Sequence, residues 1–254
     1  MTTRKHFRHF ALAAALTCAA FCGAGCATPG PLHVYTIAPG QPAVVHDTSS
    51  DAPAVNVPDF LAAGETLTGF AYDPFTDHFF LRLAPGNRIR VIDRPARAVK
   101  REFKVAELSM AGGGDLAIRP RDGHLYIAHP AEPTLIEVNR FGEFVRALPL
   151  MGFVGAPAGV AFDAAHDRLL VLAGGGASRV SIYDPDGRLL ATISLDRPVA
   201  SGALGYDAEQ HEYYAPLADG GAVGVFGEDG RLRRTLPLTA AWLDVGPRSF
   251  LRVF

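Results

Sequence analysis

The sequence predicts an all-β fold, a β-propeller of five four-stranded blades with one blade completed by both chain termini. Three observations predict it: a four-strand pattern repeated at near-constant spacing, an inner strand with one face stripped of bulk, and complementary half-blades at the two ends of the chain.

Each repeat opens on small and apolar residues that end in an aromatic or aliphatic residue plus an acid. Phe70-Ala71-Tyr72-Asp73, Val160-Ala161-Phe162-Asp163, Leu204-Gly205-Tyr206-Asp207 and Ala241-Trp242-Leu243-Asp244 all read this way. In the second repeat Leu116-Ala117-Ile118-Arg119 fills the place, so the acid is missing. A polar turn leads to a second apolar run, at 79–83, 125–128, 169–172, 213–217 and 250–254. A Gly- or Pro-bearing turn precedes a third run that alternates apolar with polar residues, as in Ile89-Arg90-Val91-Ile92 and Val180-Ser181-Ile182-Tyr183. Tight turns such as Pro185-Asp186-Gly187 and Glu228-Asp229-Gly230 lead into a fourth. Period-two alternation between turn-forming clusters marks half-buried strands in hairpins.

Spacing converts the strands into a fold. Asp73, Arg119, Asp163, Asp207 and Asp244 follow one another at 46, 44, 44 and 37 residues, the step of propeller blades. The fifth unit stops after two strands at Phe254, which would leave an open edge with unpaired backbone groups. At the other end, Val34-Tyr35-Thr36-Ile37-Ala38 and the segment 42–47 align with the third and fourth strands of repeat three at 180–193. Head and tail are therefore expected to build one blade and close the ring, with the short last step making that blade irregular.

The innermost strands support the same reading. Counting back four from each repeat's closing residue gives Gly69, Asp115, Gly159, Ala203 and Ala240; counting back two gives Ala71, Ala117, Ala161, Gly205 and Trp242. The residues between are bulky: Phe70 and Tyr72, Leu116 and Ile118, Val160 and Phe162, Leu204 and Tyr206. Because side chains alternate faces along a strand, small residues are expected to face a narrow axis while large ones fill the space between blades.

The first 25 residues have a different character. Arg4, Lys5 and Arg8 precede an apolar run at 10–21, too short for a permanent membrane span and suited to a secretory signal. It ends in Gly23-Ala24-Gly25-Cys26, which resembles the lipobox of bacterial lipoproteins. The resemblance implies cleavage before Cys26, a lipid on that cysteine, a tether at 26–31 and a propeller domain at 32–254. With Ala27 after the cysteine, it also implies the outer membrane, facing the periplasm. Cys18 and Cys22 would leave with the signal, so no internal disulfide is expected. The chain has 24 basic and 26 acidic residues. Without the three signal cations the balance is 21 against 26, which argues against a nucleic-acid partner. A long connector at 48–66 carries an apolar patch at 57–61.

The repeats also resemble NHL-type blades, in which a Gly-hydrophobic-Ala-hydrophobic-Asp strand precedes a Leu-Tyr-Val strand and an Asp-x-x-Gly turn. Leu116-Ala117-Ile118-Arg119-Pro120-Arg121-Asp122-Gly123-His124-Leu125-Tyr126-Ile127-Ala128 carries the resemblance best, with Gly159-Val160-Ala161-Phe162-Asp163 after it. It implies a propeller and leaves function open, because this architecture hosts binding, sugar-lactone hydrolysis and scaffolding alike.

Four constellations carry possible chemistry. His78, His124, His166 and His211 fall in corresponding turns, too far apart for metal bonds of about 2 Å, and are expected to be exposed turn residues. Asp115, after Gly112-Gly113-Gly114, is the one charged residue at the small inner-strand positions. It either binds a cation or polarises a nucleophile, or is satisfied by the N–H groups of the Gly run. Trp242 either plugs the axis or offers a stacking platform. Arg231, Arg233 and Arg234 mark a solvated outer strand. The reading is a non-catalytic, envelope-anchored binding or scaffold module with a protein partner and no cofactor. It would act through the longer loops at 84–88, 129–134, 173–178 and 218–222, where Arg88 and His129 join Asp115 and Trp242 as candidate contacts. The alternative is a lactonase-like periplasmic hydrolase with a divalent cation near Asp115.

Overall fold

The computed structural model describes residues 32–40, 44–47, 60–108, 112–200 and 202–247. Cys26 with the signal and tether, most of the long connector and the run at 250–254 lie outside the described residues. Among the described residues every regular element is a strand.

The chain enters through β1 (Leu32–Ile37) and β2 (Val45–Asp47). The first full blade holds β3 (Thr66–Asp73), β4 (His78–Ala84), β5 (Arg88–Asp93) and β6 (Ala98–Lys104). The second holds β7 (Leu116–Arg119), β8 (His124–Ala128), β9 (Thr134–Val138) and β10 (Phe144–Pro149). The third holds β11 (Pro157–Asp163), β12 (Arg168–Ala173), β13 (Ala177–Tyr183) and β14 (Leu189–Val199). In the fourth are β15 (Gly205–Asp207), β16 (Glu212–Pro216), β17 (Val223–Gly227) and β18 (Leu232–Leu236), and β19 (Trp242–Pro247) follows.

Each blade is an antiparallel meander, and the inner strands β3, β7, β11, β15 and β19 touch in a closed circuit. The five-bladed propeller is therefore present. The termini close it, with β1 pairing β19 from Leu32↔Pro247 to Ile37↔Trp242. The order β19-β1-β2 corrects one detail. β1 takes the second-strand place expected for 250–254, so the N-terminal segment sits one strand further in than its likeness to 180–193 suggested. Alternating strands of one blade share a pattern, and pattern alone does not distinguish second from third.

Packing explains the alternation on the inner strands and corrects its reading. Five core clusters occupy the five spaces between blades. Phe70 and Tyr72 meet Tyr35 and Phe79; Leu116 and Ile118 meet Ala71 and Phe80; Val160 meets Tyr126 and Leu135; Leu204 and Tyr206 meet Leu170 and Leu172; Leu243 and Val245 meet Tyr214 and Val225. Bulky residues fill these spaces, as expected. The small ones make room for the next blade rather than lining an open channel: a Cβ on Gly69 would come within 2.9 Å of Leu116, and one on Gly205 within 3.0 Å of Leu243. Blades stack face to face around the ring, so an inner strand turns an edge toward the axis.

The contact of Gly205 with Leu243 and Val245 also shifts the fifth inner strand by two residues. Leu243 and Val245 are its bulky pair, Trp242 and Asp244 its small-face positions, and Gly246 stands where Asp73, Asp163 and Asp207 stand elsewhere. Those three acids bind backbone N–H groups of their own turns, from Phe75, Ala165 and Glu209 respectively, an Asx turn that fixes the connection. Among the described residues Asp244 makes no such turn, and its carboxyl instead accepts from Tyr72 of the first blade.

Candidate functional site

Along one strand, N–H groups of alternate residues point to the same edge. On the inner strands that edge is the axis, so successive layers of N–H donors converge there. The deep layer is closed by Asp115, which has no exposed surface. Its Oδ1 accepts from Phe70 N–H at 3.2 Å, and its Oδ2 accepts from Val160 and Leu204 at 3.3 and 3.4 Å. One carboxyl thus ties the first, third and fourth blades to the second. Burial holds its pKa well above the usual carboxylate range against the pull of these N–H groups, and Asp244 adds to the rise.

Asp115 is satisfied by backbone N–H groups, but not by those of the preceding Gly run. The run has another purpose, close approach: a Cβ on Gly114 would come within 2.7 Å of Ala128, and one on Gly113 within 2.8 Å of Thr68. For the alternative, a cation near Asp115, the geometry gives this much: N–H donors meet both carboxyl oxygens, and among the described residues no group of three or more His, Cys, Asp or Glu is placed to hold a metal.

Sequence reasoning missed Arg82 of β4, which is also fully buried. Its Nη1 donates to the Gly114 and Ala128 carbonyls at 2.7 Å each, and Nε and Nη2 donate to Asn87 Oδ1. Burial draws its pKa down to about 10, with Asp115 opposing the fall. An alternating strand gives no hint that its one cation points inward.

The mouth layer, one step outward, is different. Here Tyr72, Phe162 and Tyr206 help to wall a pocket of about 310 Å³ at one end of the axis, with Ile118 and Val245 among its apolar lining and Asp244 among its polar groups. Asp244 accepts from Tyr72 N–H and from its own neighbour Val245, both at 2.8 Å. A carboxylate has about four lone-pair sites, so acceptor capacity remains toward the pocket. Burial pushes the Asp244 pKa up to about 7, against the two N–H groups. Since Val160 and Leu204 direct their N–H groups to the axis, Phe162 and Tyr206, two residues on, direct theirs into this layer. Asp207 and Glu209 also border the pocket, and among the described residues no Lys, Arg or His does.

The residues named from sequence are scattered over other places. The pocket opens on the face of the first-to-second-strand turns, opposite the longer loops expected to be functional. Arg88 lies at that opposite end, paired with Glu65 and Glu102. His129 is buried and accepts from the Ala131 and Glu132 N–H groups, so it shapes its own turn. Trp242 walls a second cavity there with Ile37, Leu61 and Leu67. Among the described residues no hydrogen bond or ion pair joins the Asp115 carboxyl to any of these three.

Each turn histidine has a local partner. His124 meets Glu137 at 2.7 Å, His166 meets Asp163 at 2.9 Å, and His211 lies 3.4 Å from Glu228. His78 departs from the exposed role expected of it: it is buried beside Lys100 and Asp93. Arg233 and Arg234 lie on the outer strand as expected, paired with Asp229 and Glu212.

No protein-family model and no curated protein matches the sequence. Among solved structures, Myxococcus xanthus glutaminyl cyclase is similar with a TM-score of 0.51 and 16% identity, over 70% of this chain and 69% of that one. A chain of a nidogen/laminin complex is similar with a TM-score of 0.59 and 11% identity, over 86% of this chain and 99% of that one. At such identities the likeness shows the fold alone, and the fold serves an enzyme in one case and a protein complex in the other.

Proposed function

We propose that this chain is an exported, lipid-anchored propeller of the cell envelope that binds a small molecule, without chemistry of its own, at the mouth of its axis. The pocket that Asp244 lines with three aromatic residues carries this reading. It is concave, largely apolar and has few convergent polar groups, the character of a ligand site. Its walls come from all five inner strands, held in register by the ring, so it is formed before any ligand arrives. The NHL-like pattern at 116–128 supports the blade type, and the signal-like segment ending at Cys26 supports the outer-membrane, periplasm-facing anchor. A protein partner would then use the ring's outer surfaces.

Two measurements test the reading. Ala164 is exposed at the pocket rim, so Ala164→Arg obstructs the mouth without touching the core. Mass spectrometry of protein purified from native envelopes is expected to find a small molecule with the wild type and at least tenfold less with the variant. Identical profiles would sink the pocket. For the anchor, Cys26→Ser in a Gram-negative host is expected to move the protein from the membrane to the soluble periplasmic fraction, and unchanged fractionation would refute it.

A further inference from the structure

We infer that the ligand of this pocket is a small organic cation, a primary or secondary ammonium on an aromatic or aliphatic body, with its charged end against the Asp244 carboxylate. The inference rests on the pocket reading and gives it a chemical class.

Two features of the pocket select the cation. Its ionisable lining is acidic, with Asp244, Asp207 and Glu209 and, among the described residues, no basic side chain. Tyr72, Phe162 and Tyr206 line the same pocket, and aromatic rings attract an ammonium within about 6 Å. Among the described residues, an anionic ligand would find the neutral N–H groups of Phe162 and Tyr206 to set against these carboxyls. A full charge a few ångströms away outweighs such dipoles in a partly desolvated site. Size sets the body, since about 310 Å³ is at the small end of ligand pockets.

The carboxyl also gives the binding a pH signature. A group near 7 is about half protonated at neutral pH, and only its ionised form pairs with an ammonium. Affinity is therefore expected to rise with pH, about tenfold between pH 6 and pH 8, with proton release on binding. Asp207 and Glu209 and the hydroxyls of Tyr72 and Tyr206 are the other titratable groups bordering the site, and Asp115 is coupled to Asp244 through its charge. The tyrosines have pKa values raised by burial and stay neutral throughout this range.

The test is isothermal titration calorimetry on the purified chain with three probes of one shape: 2-phenylethylamine, 2-phenylethanol and 3-phenylpropionate. At pH 8 the amine is expected to bind at least tenfold more tightly than the alcohol, and the acid more weakly than either. Asp244→Asn keeps an acceptor for the Tyr72 N–H, so it preserves the fold, which a thermal melt checks. It is expected to cost the amine at least tenfold, leave the alcohol within twofold, and abolish the pH dependence and the proton release. Equal binding of amine and alcohol, or an amine affinity untouched by Asp244→Asn, would overturn the inference while leaving the pocket. Failure of all three probes to bind would overturn both.

Discussion

Asp115→Ala is expected to lower the free energy of unfolding by about 3–5 kcal/mol, since a buried donor left without a partner costs about 1–3 kcal/mol and three such donors are exposed at once. The N–H groups of Phe70, Val160 and Leu204 belong to three different blades and share one acceptor group. Asp115→Asn separates charge from acceptor geometry. Its amide retains one oxygen but turns an NH₂ group toward one set of donors, so a loss of about 2 kcal/mol is expected. Urea denaturation of the purified domain, followed by tryptophan fluorescence and circular dichroism, measures both. An alanine variant as stable as the wild type would show that the axial carboxyl holds nothing together.

Removing residues 32–47 should have a still larger effect, namely loss of the cooperative unfolding transition. The deletion strips β19 of the six pairings from Leu32↔Pro247 to Ile37↔Trp242 and opens the ring. It also removes Tyr35, Ile37 and Val45 from the cluster they share with Phe70, Phe79 and Leu81. An exposed inner strand and an uncovered apolar face favour association between chains, so size-exclusion chromatography is expected to show aggregates. Tyr35→Ala is the graded version. That ring is fully buried, with its centroid 4.6 Å from Tyr72 and 5.0 Å from Phe79, and truncating a large buried aromatic costs about 3–5 kcal/mol. A truncated chain that remained monomeric and melted sharply would mean that the ring does not need its clasp.

These two effects arise at different levels of organisation. The clasp is local pairing plus hydrophobic burial, and both leave marks in the sequence: alternation in Val34-Tyr35-Thr36-Ile37 and an unfinished last repeat. The axial carboxyl depends on convergence of strands from all around the ring, and its partners are backbone groups that any residue would supply. No pattern of side chains records them. For the same reason the Gly run before Asp115 invited a wrong partner: nearness in sequence suggested its N–H groups, while the ring brings in those of residues 45 and 89 positions away.

The candidate site divides along the same line. Repeats at 44–46 residues, the alternation of bulky and small residues, and complementary termini were enough to determine the blade count and the closing blade, because each blade must bury its faces against the next and a ring must close. Which strand of the closing blade came from which end was decided by pairing in three dimensions. So was the two-residue offset that turns Asp244 from an apparent turn acid into a lining residue of a pocket. Tyr72, Phe162 and Tyr206 look like core residues in the sequence, and they are. Only the convergence of inner strands around one axis also makes them the walls of a binding site, since that juxtaposition joins residues from separate blades whose individual patterns carry no trace of one another.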